Sequence, residues 1–134
     1  MFGLSTKGDY GLSFLEYLAA NRNRLVSLSE VARVKHLSLK YLERLVVRLK
    51  KAKLIASKEG SGGGYRLAKP SKQIKLLAVL EILEGELAPT ICTGDHNTCP
   101  RQRNCAMKKG WFGVRNKIYH ILSHLTLADL FEKE

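Results

Sequence analysis

A mainly α chain with one small β wing is the fold class this sequence predicts, and three observations carry it. Two short helical patterns joined by a three-residue turn occupy residues 27–52, a glycine-rich tip separates two strand-like runs at 54–69, and an apolar stripe at heptad spacing runs from 107 to 125. At 134 residues the chain has room for one domain with a modest core and an appended element.

The elements follow in chain order. A first helix is expected from about Lys7 to Ala20, opened by Thr6 and Asp9 as a capping pair and burying Leu12, Leu15, Tyr17, Leu18 and Ala19. Ser27 with Glu30 caps a second helix ending near Val34, and Lys35, His36 and Leu37 make a turn. Ser38 caps a third from Leu39 to about Ala52. Leu42, Leu45, Val46 and Leu49 fall on one side of it, and Lys40, Arg44, Arg48 and Lys51 on another. A helix with one flank for the core and a cationic flank for phosphates and base edges is what a major-groove reader needs.

LIASK and YRLAK then flank EGSGGG, a hairpin tip in which glycines supply positive φ and room for close approach. No helix opens after Gly64 and no Lys-Ser/Thr pair closes the loop, so little in it points to a phosphate cradle. Together these elements make a winged helix-turn-helix. Its tip, Ser61, Gly62 and Gly63, is suited to a minor groove, with Lys58 and Arg66 against the backbone. Pro70 and Ser71 break the chain before a largely buried helix from about Ile74 to Glu84, which Gly85 stops.

The stripe Met107, Trp111, Val114, Ile118, Ile121 and Leu125 keeps four-three spacing along a further helix. Because the preceding helices suffice to close a core, this stripe is expected to pair two chains, making 107–125 a homodimerisation helix. Thr126 with Asp129 restarts a short terminal helix. The expected organisation is 1–85 for DNA binding, 86–106 as a cysteine loop, and 107–134 for dimerisation.

Charge placement narrows the partner. The net charge is +11, and the window from Arg33 to Lys75, with thirteen Lys or Arg against Glu43 and Glu59, carries all of it. Clustered cations gain affinity by releasing counterions from phosphates, so double-stranded DNA is the expected partner. No apolar run is long enough for a membrane span, and the N-terminus lacks the order of a signal peptide, so a cytoplasmic location is expected. Neither paired carboxylates nor an H-x-E signature points to an enzyme.

Cys92, Cys99 and Cys105 are the only cysteines, and all lie in one polar loop. Zinc knuckles place ligands two to four residues apart, whereas the gaps here are six and five. Such gaps suit a larger object with several irons, ahead of a disulfide sensor, which leaves one thiol over, and of zinc.

KGDYGL, the LSEVA…LSLKYLERLVVRLKKAKLI helix pair, GSGGGYRLAKP and three cysteines before a long helix resemble the iron–sulfur winged-helix transcription regulators of the IscR and NsrR kind, over about residues 4–130. The resemblance implies a homodimer with recognition helices in successive major grooves and wings in the minor groove. It also implies a DNA affinity controlled by an iron–sulfur cluster that reports nitric oxide, redox stress or iron–sulfur status. Cys92, Cys99 and Cys105 carry over as ligands. In one branch a histidine three residues past the last cysteine completes the set; here that position is Lys108, which cannot ligate while protonated. The nitric-oxide-sensing branch uses an aspartate of the other subunit at the start of the first helix, and Asp9 matches it, although a carboxylate there is also an ordinary helix cap. Asp9 tilts the implied cluster towards 4Fe–4S over 2Fe–2S, with His96 as a reserve ligand. Ser38, Lys40, Tyr41, Glu43 and Arg44 carry over as DNA contacts. Glu43 is placed either to accept from a cytosine amine or to pair with a neighbouring base on its own helix. The competing expectation is a cluster-free DNA binder switching through thiol oxidation, or through zinc, at the same cysteines.

Overall fold

A computed structural model describes residues 3–131. The outermost residues of the first and last expected segments, 1–2 and 132–134, lie outside the described residues. The order is α1 (Thr6–Ala20), α2 (Leu28–Lys35), α3 (Leu39–Lys51), β1 (Ile55–Lys58), β2 (Gly64–Leu67), α4 (Leu76–Glu84), α5 (Lys108–Ser123) and α6 (Leu127–Phe131). Short 3₁₀ turns at Ser71–Gln73 and Ile91–Thr93 flank α4.

The helix-turn-helix forms where its caps place it. Ser27 accepts from the Glu30 N–H and Ser38 from the Tyr41 N–H, each filling a first-turn donor with no partner inside the helix. His36, in the left-handed region at φ 56°, ends α2 and turns the chain into α3. Leu42, Leu45, Val46 and Leu49 are buried as the spacing requires. They join Phe14, Leu15 and Leu18 of α1, Val31 of α2 and Val79 and Leu83 of α4 in one core.

The wing is an antiparallel pair with Ile55 opposite Leu67 and Lys58 opposite Gly64. Val26, just before α2, adds an isolated bridge to Tyr65, with N–H to O distances of 2.9 and 2.8 Å in the two directions. That crossing requires Gly64: its φ is +147°, and a Cβ there would stand 2.7 Å from the Val26 carbonyl oxygen. The sheet thereby ties the wing to the front of the helix pair.

Four expectations are corrected. The cap of α1 is Ser5, not Thr6: its hydroxyl accepts from the Gly8 N–H at 3.2 Å, while its own N–H and hydroxyl donate to Glu84 Oε1 at 3.0 and 2.7 Å. The partner on α4 decides between two otherwise equivalent hydroxyls. Phe14 is fully buried although the expected buried side of α1 omitted it. The helix α4 starts at Leu76, because Ile74 is extended and Lys75 bridges Thr126 instead. Finally, α5 stops at Ser123, so Leu125 lies beyond it and packs on the core, its carbonyl accepting from the Leu76 N–H at 3.0 Å. The bridge also brings back α6, whose Leu127 is fully buried.

Candidate nucleic-acid interface and thiol loop

The outward face of α3 presents Lys40, Glu43, Arg44, Arg48 and Lys51, all exposed, with Ser38 exposed at its start. Among the described residues Glu43 forms no ion pair, so its carboxylate is left to the solvent side of the helix. Tyr41 is half-buried, its ring edge-on to Tyr10 of α1 at 5.0 Å between centroids. Val47 lies one turn from Arg44 and Lys51 and is 66% exposed. Periodicity alone does not mark it, because an apolar residue on an amphipathic helix is ordinarily assigned to the core. An isopropyl group among exposed cations is the kind of surface that can meet a thymine methyl.

Two cationic hollows extend the surface beyond α3. One, of about 290 Å³, is lined by Lys7, Tyr41, Arg44, Leu45 and Arg48, so the first turn of α1 adds a cation to the recognition helix. The other, of about 360 Å³, joins Arg22 and Arg24 to Lys58 and Arg66 of the wing. Lys7 and Arg22 were missed; a lone cation in a first turn or a loop carries no periodic signal. At the tip Ser61 and Gly62 are exposed and Gly63 is half-buried.

Arg24 is held partly by the protein itself. Its guanidinium donates to both oxygens of Glu30, and Tyr17 donates its hydroxyl to the same carboxylate. Those donors, Arg24 first, pull the Glu30 carboxyl down to about 2. The same hydrogen bond raises Tyr17 above its ordinary value. The group fastens α1 to α2 beside the wing.

The three cysteines are all free and half-buried. Cys92 sits on the better anchored part of the loop: Thr90 and Thr93 form a capping box around the Ile91–Thr93 turn, Thr93 is buried, and Thr90 Oγ1 lies 3.1 Å from the Cys92 sulfur. Cys99 and Cys105 lie on a looser stretch held by turns, with Cys99 donating its N–H to Asn97 Oδ1 at 3.1 Å. Cys105 lines a hollow of about 550 Å³ between Pro100 and Met107. In kind, three sulfur donors fit an iron–sulfur centre. In position they are spread: among the described residues no three Cys, His, Asp or Glu side chains are gathered as one metal-binding group. Asp9 is exposed on the first turn of α1, His96 is exposed in the loop, and Lys108 begins α5.

Leading into this loop, α4 ends on Glu84, which holds Ser5; leading out, α5 packs beside α4 and the Ile91–Thr93 turn. No α5 residue is fully buried. Met107, Val114 and Ile121 are 55, 38 and 60% exposed, while Trp111 and Ile118 are half-buried.

A helix pair capped in tandem, a hairpin wing and a cationic recognition face define a winged-helix DNA-binding regulator, and among the described residues no helix is long and apolar enough to cross a membrane. Residues 4–133 match the Rrf2 family, described as iron-dependent transcriptional regulators, and the chain belongs to that family. It is 34% identical to the transcriptional regulator IscR of Cereibacter sphaeroides, over 98% of this chain and 88% of that one. Among solved structures it superposes on T. potens IscR with TM-score 0.75 and 34% identity, covering 96% of this chain and 85% of that one. It superposes on CymR of B. subtilis, the global cysteine regulator, with TM-score 0.78 and 32% identity, covering 98 and 97%. The chain is thus a non-enzymatic DNA-binding transcription regulator, akin to IscR.

Proposed function

We propose that this regulator binds promoter DNA as a homodimer paired through α5, and that an iron–sulfur cluster held by Cys92, Cys99 and Cys105 controls its affinity. Asp9 of a second copy is the proposed fourth ligand, with 4Fe–4S ahead of 2Fe–2S. One observation carries the proposal: three unpaired, half-buried thiols share a loop whose two ends run into α4 and α5. The family description, iron-dependent, agrees with it. When bound, such a cluster supplies metal–sulfur bonds that are sensitive to nitric oxide, oxidants and iron supply.

The chain's own residues supply the coupling. The Cys99 and Cys105 stretch has few fixed backbone partners, so ligation would order it. Gly85, at φ +79°, joins it to α4, where Glu84 grips Ser5. Two residues on, Lys7 shares a hollow with Arg44 and Arg48, and Tyr10 stacks edge-on to Tyr41. A movement of the loop at Gly85 therefore has a short path to the recognition helix. Exposure of Met107, Val114 and Ile121 supports pairing through α5, which would set the spacing of the two recognition helices.

Anaerobic purification tests the cluster. The wild-type chain should be coloured and contain iron and sulfide, and replacing all three cysteines with Ala should abolish both. Iron and colour that persist in the triple variant would overturn the ligand assignment. A second proposal, a cluster-free thiol switch, is favoured by the scattered sulfurs and by likeness to a cysteine regulator. It predicts a colourless protein whose DNA affinity changes on oxidation, with an intramolecular disulfide found by mass spectrometry.

A further inference from the structure

Independently of the thiol loop, the last turn of α5 carries a second set of donors. His120 and His124 are four residues apart on the helix, both exposed, with ring centroids 4.5 Å apart. Histidines at this spacing share one helix face and can chelate a single ion, as in helical zinc sites. Metal–nitrogen bonds of about 2 Å place two cis nitrogens on the order of 3 Å apart, within a side-chain adjustment of the separation here.

A second observation concerns the tautomer. His124 Nδ1 lies 2.8 Å from the backbone carbonyl oxygen of His120. A carbonyl only accepts, so this contact is a hydrogen bond when neutral His124 carries its proton on Nδ1, and Nε2 then presents a lone pair; the Ser123 hydroxyl oxygen, 3.2 Å from the same nitrogen, can accept from it as well. Pinning one ring nitrogen to a carbonyl so that the other can ligate is the usual support for a metal-bound histidine. The Ser123 hydroxyl also donates to the His120 carbonyl, at 2.8 Å, adding to the order of the turn. A third factor is position: His124 is the C-cap of α5, at the negative end of the helix dipole, where a cation is stabilised. Lys117, one turn back, opposes this with its charge.

We propose that His120 and His124 form a site for a divalent transition-metal ion on the exposed end of α5. The ligand class is one that prefers imidazole: Cu²⁺, Ni²⁺ or Zn²⁺ rather than Mg²⁺ or Ca²⁺. The two rings leave further coordination positions for water or another donor. Occupancy would clamp the final turn where the chain passes to Leu125 and its bond to Leu76.

The experiment is calorimetric titration of Cu²⁺, Ni²⁺, Zn²⁺ and Mg²⁺ into the full chain with its thiols alkylated, so that sulfur cannot compete. One site per chain is expected, tightest for Cu²⁺ and absent for Mg²⁺. Either His120→Ala or His124→Ala should weaken binding by at least the about tenfold typical of losing a supporting partner alone. Both positions are exposed, and circular dichroism checks that the variants fold. Zn²⁺ should raise the melting temperature of the parent and not of the variants, and nitrogen-15 spectra of the metal-free chain should find His124 protonated at Nδ1. Equal binding by the variants, equal binding of Mg²⁺, or a His124 proton on Nε2 would overturn the site.

Discussion

Replacing Gly8 with Ala poses a contest between two effects of opposite sign. On helix propensity alone, Ala in the first turn of α1 should stabilise the protein by up to about 1 kcal/mol. Against this, a Cβ at position 8 would overlap Glu84 Oε1, the atom that accepts from both the N–H and the hydroxyl of Ser5. The carboxylate sits at the end of a flexible side chain and can swing aside, so steric overlap is not the main cost. The cost is two hydrogen bonds to a charged acceptor, each about 1.5–3 kcal/mol when intact and fewer once half-exposure is allowed for. Taking the lower figure twice and subtracting the propensity gain leaves a net destabilisation of about 2 kcal/mol. Urea unfolding at fixed protein concentration measures it, the fixed concentration being needed because the stability of the proposed dimer would depend on it. Glu84→Gln, paired with Gly8→Ala in a double-mutant cycle, should show strong coupling. A Gly8→Ala chain more stable than the parent would refute the reasoning, since propensity would then have won.

Three further outcomes follow from named contacts. Glu30, held down to about 2 by Arg24 and Tyr17, contributes stability that is complete above its unfolded value near 4.3 and lost as pH falls towards 2; Glu30→Gln should flatten the parent's acid unfolding curve in that window. Lys7→Ala or Arg22→Ala should weaken DNA binding alike across sequences and reduce the slope of log affinity against log salt by about 1 each, read by fluorescence anisotropy. Ile121→Asp, at a 60% exposed position, should leave the fold intact by circular dichroism but yield monomers in analytical ultracentrifugation, and a variant that stays dimeric would remove α5 as the pairing surface.

What the sequence made legible was local. Ser27 and Ser38 name their helices because a cap satisfies backbone donors within three residues, and Leu42, Leu45, Val46 and Leu49 name a buried face because their period is that of the helix. The misses are contacts between distant segments. Ser5 prevails over Thr6 through a carboxylate 79 residues away, and Val26 joins the wing through a backbone bridge that side chains barely encode. Leu125 kept the heptad count yet left the helix, because the Lys75–Thr126 bridge draws the chain back to the core. At the candidate site, residue types and spacing identified the cationic stripe and the thiols, whereas Lys7 acquired its neighbours only from the packing of α1 on α3.

That packing makes the start of α1 the place where the proposed sensing and reading surfaces meet. Within six residues, Ser5 is bound to the end of α4, Lys7 reaches the recognition helix, Gly8 makes room for Glu84, Asp9 faces outward from the chain, and Tyr10 packs on Tyr41. A stiff helical turn with contacts on opposite sides cannot yield at one without moving at the other, because its backbone hydrogen bonds allow little independent motion. The Glu84→Gln variant therefore separates two roles that structure alone superimposes. Should the carboxylate only support the fold, stability falls while DNA affinity in the folded protein responds to oxidation as before. Should it also transmit, that response shrinks even where the chain is fully folded.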